Sequence, residues 1–159
     1  MPDLFDALAD RWDSVAVDLA SLPKSGDGAV RDALRLGVDD VEGEIGWALT
    51  DSVAAAIYGA PVGVRADGPR DFYVPDEATM RRAVRLLGTA SDRASRAAVV
   101  RVAPVAAICS GRVDPAPWAP AEWPLAHPLF VALDLAQDPG RGREILNAWT
   151  PPHRWRRVW

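Results

Sequence analysis

Leu4, Leu8, Trp12, Val15, Leu19 and Leu22 recur at steps of three and four, the period of one helix face. Asp3, Asp6, Asp10, Asp13 and Asp18 fall mostly off that stripe. The pattern predicts a first helix, broken at Pro23 and the KSGDG stretch of residues 24–28. A second helix is expected over 28–36, with Val30, Ala33 and Leu34 on one side. A third is expected over 38–58, where Val38, Val41, Ile45, Leu49, Val53 and Ile57 keep the same spacing. Gly37 is either a C-cap between these two or a kink in one longer helix.

Beyond Tyr58 the pattern changes. Asp67-Gly68 stands between two short segments of β character, a hairpin signal that Pro69 weakens. Residues 75–88 predict a fourth helix with Met80, Val84 and Leu87 inward and acids in its first turn. A short helical turn fits residues 91–98, and residues 99–109 are β-rich, with Pro104 suited to an edge or bulge. Residues 111–128 hold five prolines and two tryptophans, a stiff connection of a length that is uncommon in compact domains. Residues 129–136, apolar on both faces, read as a central strand that hands over to a helix from Pro139 to Trp149. The proline-started aromatic end could add one last strand. These elements make a single α+β domain over 1–159: a helical portion (1–60), a mixed portion (61–159) with a small mixed sheet, and a C-terminal strand–helix–tail unit.

Composition narrows the picture. A chain of 159 residues that is 49% hydrophobic and 25% charged can bury a core. It has no apolar run long enough to span a bilayer, an acidic start unlike a secretory signal, and one cysteine; a cytoplasmic location is therefore expected. Residues 1–60 carry 12 acidic and 4 basic side chains, residues 61–159 carry 10 and 14. The overall acidity makes nucleic acid an improbable partner. The polarity suits internal packing of the halves, a second copy, or an acidic partner.

Candidate chemistry is sparse. Residues 134–144 offer Asp134 at the expected strand end, Asp138 as N-cap, Pro139 at the first helical position and Glu144 beyond. Arg141 and Arg143 sit oddly at the positive end of a helix, where they could face acids or an outside anion. Cys109 and His127 could meet if their segments were neighbouring strands. Walker, dinucleotide and zinc patterns are missing, and His127 and His153 lack zinc-site spacing, so neither cofactor nor metal is expected. Tryptophan and arginine are the plentiful anchors: Trp118, Trp123, Arg141, Arg143, Trp155, Arg156, Arg157 and Trp159 form the expected docking set. The sequence thus favours a non-catalytic interaction module or adaptor, binding another protein or a second copy of itself. The alternative is a small hydrolase or nuclease-like enzyme built on Asp134, with Asp138, Glu144, Cys109 or His127 assisting.

Overall fold

The computed structural model describes residues 2–23, 28–120, 122–152 and 154–159; residues 24–27 and His153 lie outside them. The elements in chain order are α1 (Pro2–Asp10), β1 (Ala16–Leu19), α2 (Gly28–Leu34), β2 (Ala48–Thr50), α3 (Asp51–Ile57), β3 (Arg70–Val74), α4 (Glu77–Leu87), β4 (Ala98–Val102), α5 (Ala107–Ser110), α6 (Pro128–Leu135) and α7 (Arg141–Ala148). The strands form one mixed sheet in the order β1-β4-β3-β2. The central β3 and β4 are parallel, joined by α4, and both outer strands run antiparallel to their neighbours. The class is α+β, as the sequence implies.

The ladder sorts the side chains. Its register sets Thr50, Asp71, Tyr73, Val99 and Arg101 on one face, and Leu49, Phe72, Val74 and Val100 on the other. The second face is apolar: Phe72 meets Trp47 and Trp123 edge-on at 5.5 and 5.0 Å. The first face is polar. Helix α6 covers its β2–β3 half, and the rest holds the pairs Arg101–Asp71 and Arg96–Asp18 at 3.3 and 3.5 Å.

Several expectations from periodicity are overturned. The first stripe does not stay helical: α1 stops at Asp10, and β1 follows, pairing with β4. Residues 16–19 also alternate with period two, Val17 and Leu19 lying opposite Val100 and Ala98 on the apolar face. The third helix shrinks to Asp51–Ile57, because 48–50 pair with β3 and 38–46 wrap a buried guanidinium. Asp67-Gly68 makes no hairpin; it leads directly into β3, which pairs with β2 and β4 instead. Residues 91–97 form bends and turns rather than a helix. The anticipated strand at 129–136 is helix α6. His127 accepts from the Leu129 N–H at its N-terminus and Pro128 takes the first turn, so an apolar run that suits either element becomes a buried helix. Cys109 lies on α5, not at a strand end, since β4 closes at Val102 ahead of Pro104. No terminal strand forms in the described tail, and the C-terminal unit is helix–helix–tail.

The proline-rich segment has a structural task. Leu49 donates to the Pro124 carbonyl and Ala126 donates to that of Leu49, both at 2.8 Å, so the segment covers the free edge of β2. Arg112, 3% exposed, lies in the same segment. Its guanidinium donates to the carbonyls of Leu36, Trp47, Gly37, Val41 and Glu44 at 2.7–3.3 Å. Gly46 has to be glycine here: a Cβ would stand 2.1 Å from the Leu36 oxygen and 2.6 Å from the Arg112 Nη1.

Five carbonyls satisfied by one side chain set up a clear test. Arg112→Met is expected to lower the unfolding free energy by about 3 kcal/mol, because buried acceptors lose their donors. Arg112→Lys should not rescue it, since an ammonium cannot reproduce the planar fork. Urea denaturation of the three proteins measures this; a loss below about 1 kcal/mol for both variants refutes it.

Candidate functional site

The polar face of the sheet meets α6 at Asp134, a carboxylate 9% exposed. Trp12 Nε1 donates to its Oδ1 at 2.8 Å and lies 3.2 Å from the Tyr73 hydroxyl. The Tyr73 hydroxyl also donates to Oδ1, and the Thr50 hydroxyl donates to Oδ2. One side chain therefore ties together the segment after α1, the end of β2, the middle of β3 and α6. Both oxygens are engaged, which makes Asp134 an anchor rather than a free reactant.

Beside the anchor opens a cleft of about 410 Å³, lined by Trp12, Asp13, Ser14, Asp51, Ser52, Arg101 and Asp134, with Gln137, Asp138, Arg141 and Gly142 on the α6–α7 side. Gly142 lets α7 close that wall: a Cβ there would fall 1.7 Å from the Leu135 carbonyl oxygen. Asp51 sits at the abrupt passage from β2 into α3 with φ of +60°, in the left-handed region. Ser52 Oγ donates to its Oδ1 at 3.2 Å. Strand–turn–helix corners of this kind present nucleophiles in α/β-hydrolases, where glycines flank the corner; Leu49 and Val53 stand in those places here.

Burial controls the electrostatics. Asp71, behind Arg101, has its pKa pushed up to about 7, first by burial and then by the Asp51 charge, against the opposing pull of Arg101. Burial also raises Asp134, to about 6, against the hydrogen bonds from Thr50, Tyr73 and Trp12, with Asp51 adding to the rise. Burial and the neighbouring Asp134 raise the Tyr73 hydroxyl. The Asp51 charge thus acts on both Asp71 and Asp134, and Asp134 acts on Asp71 as well.

The other candidates separate. Asp138 borders the cleft and accepts from the Gly140 N–H at 3.0 Å, but α7 begins only at Arg141, with Gly140 at its N-cap. Glu144 is exposed on α7 and lies outside the cleft lining. Cys109 is buried, and burial pushes its thiol up to about 12, the reverse of what a thiolate nucleophile needs. His127 caps α6 and faces Phe130 and Trp155, with no hydrogen bond or ring contact to Cys109. Burial lowers its pKa first, with Arg154 adding to the effect.

Most of the expected docking set is internally engaged. Trp123 is 8% exposed. Trp118, 41% exposed, packs between Tyr58 and Trp155 at 6.1 and 6.0 Å. Trp159 lies on Trp149 at 4.8 Å and, like Arg157, donates to the Leu146 carbonyl, so the tail caps the C-terminal end of α7. Arg141 donates to the Gly63 carbonyl and Arg143 pairs with Asp6 at 2.9 Å, which accounts for two arginines at a helix start. Arg156 is exposed and has no ion-pair partner among the described residues. Sequence reasoning missed Asp51, Asp71, Arg101, Thr50 and Tyr73. Alternation in DFYV and VVRV marked polar positions within strands, but no spacing in the chain joins them.

No family model matches this sequence, and no curated protein or solved structure shows a significant similarity to it. Among the described residues no helix is long and apolar enough to cross a membrane, and no group of three His, Cys, Asp or Glu side chains is placed to hold a metal ion.

The raised carboxyls fix the sign of a pH dependence. A free Asp titrates near 3.9, so between about 4 and 7 the native state binds more protons than the unfolded chain. Stability contributed by protonated Asp71 is present at the acid end and is lost as the pH rises to about 7. Asp71→Asn is expected to raise the unfolding free energy by about 2 kcal/mol at pH 8 and to change it little at pH 4.5. Chemical denaturation across that range checks it; an equal shift at both pH values contradicts it.

Proposed function

We propose that this protein is a small cytoplasmic hydrolase in which Asp51 is the group that meets the substrate. The observation that carries the reading is the left-handed backbone of Asp51 at the β2–α3 corner, which sets its side chain in the wall of a polar cleft. Strain of this order, roughly 1–3 kcal/mol, persists where the surroundings impose it, and it concentrates at functional sites. Asp71 and Asp134 support the reading because carboxyls with raised pKa values clustered beside Asp51 mark functional sites more often than structural ones. As water adds to an electrophilic carbon or phosphorus centre, Asp51 takes one proton from it. The leaving oxygen or nitrogen departs with that same proton, returned by Asp51, so the carboxylate is restored. Asp134 differs in role from the sequence expectation: it holds Thr50 and Tyr73 and thereby sets the corner beside Asp51.

The reading is tested on p-nitrophenyl esters, phosphates and glycosides with the full chain. At least one class should be hydrolysed, and Asp51→Asn should cut kcat by roughly 10²–10⁴-fold without unfolding the protein. Asp51→Gly should be equally inactive yet more stable by up to about 1 kcal/mol, because glycine adopts this backbone freely. Turnover that survives both substitutions, or no turnover in any class, rejects the proposal.

A second reading, a docking module or subunit that grips another protein or a second copy, is favoured by one groove. Leu4, Leu8 and Val158 open to solvent there beside Arg156, which has no ion-pair partner among the described residues. Light scattering of the purified chain tests it with self-association as the readout. Leu8→Glu should abolish a dimer that Asp51→Asn leaves intact; a monomer at every concentration removes the support for a second copy.

A further inference from the structure

Resting on the acid–base reading of the cleft, we infer that its ligand is a sugar ring. Trp12 is the first reason. Its indole stacks on Phe130 at 5.9 Å and 10°, and its N–H is held by Asp134 and Tyr73. What Trp12 can offer the cleft is therefore carbon surface. Around that surface stand hydroxyls at Ser14 and Ser52, carboxylates at Asp13 and Asp51, and the guanidinium of Arg101. Donors and acceptors thus share the cleft with one aromatic side chain. A sugar matches both halves of this lining: its C–H patches lie on carbon surface, and each hydroxyl both donates and accepts.

Other ligand classes fit less well. Phosphate or carboxylate ligands would face several aspartates, while Arg101 already bonds Asp71 and Arg141 bonds the Gly63 carbonyl. A simple amine would use the carboxylates but offer no acceptor to the Ser14 hydroxyl or to the N–H groups of Arg101 that Asp71 does not take. An apolar ligand would bury carboxylates against carbon, at high cost. A volume of about 410 Å³ admits one ring with room for a second.

The test is binding, kept separate from turnover. Saturation-transfer NMR and calorimetry on the full chain would use glucose, galactose, mannose, N-acetylglucosamine and their methyl glycosides, with spermidine and inorganic phosphate as comparators. At least one sugar should bind with a Kd of roughly 1 mM. Trp12→Phe, which keeps the carbon wall, should hold that affinity within about threefold, and Trp12→Ala should weaken it at least about tenfold. Arg101→Met supplies a second variant if Trp12→Ala does not fold, and it too should weaken the sugar. The inference is overturned if no sugar binds, if spermidine or phosphate binds more tightly than every sugar, or if folded Trp12→Ala or Arg101→Met binds unchanged. Sugar binding without hydrolysis would sink the hydrolase reading alone; hydrolysis of esters or phosphates without sugar binding would sink this inference alone.

Discussion

A carboxylate sealed among three side-chain donors is the tie on which the polar half of the molecule depends. Asp134 reaches down from α6 to Tyr73 in the sheet, to Thr50 at the last position of β2, and to Trp12 beyond α1. Buried charge of this kind is tolerated only when every lone-pair direction is answered, and removing one partner leaves the rest exposed to a low dielectric. Because Thr50 directly precedes Asp51, the same tie fixes the corner at which the chain enters α3 with a left-handed residue. The cleft geometry and the internal anchoring of α6 are thus one arrangement.

The opposite half is held differently. Apolar residues of the sheet meet Trp47 and Trp123, while Arg112 gathers the carbonyls of the 36–47 loop into a set that no helix or strand could satisfy. The C-terminal aromatics close the α7 end, with Trp149, Trp159 and Phe5 in sequence. Indole rings that looked like free anchors in the sequence are mainly structural, and the polar cleft takes over as the feature in need of a functional account.

Legibility from sequence followed the locality of the interaction. Helix α4 was readable from end to end, because Asp76 accepts from the Thr79 N–H at its start and Gly88 turns with φ of +73° at its finish. The α+β class was also readable. The stripe through Leu4 and Leu22 misled because residues 15–19 satisfy both a helical and an alternating period, and only pairing with β4 decides between them. Residues 129–135 misled because burial on all sides erases periodicity; the His-Pro start was the available helix signal. Asp134 was singled out for a location it does not have, yet it does border the cleft. Its partners lie 61 to 122 positions away in the chain, a relation that spacing cannot express.

The most direct measurement is a carbon-detected NMR titration of the aspartate side-chain carboxyls in the intact protein. Burial, reinforced by the Asp51 charge, should give apparent pKa values of about 7 for Asp71 and about 6 for Asp134, with Asp71 responding to the titration of Asp134. If both titrate near 4 and independently, these carboxyls are solvated, and a cleft organised around a sealed, proton-retaining group of acids is contradicted.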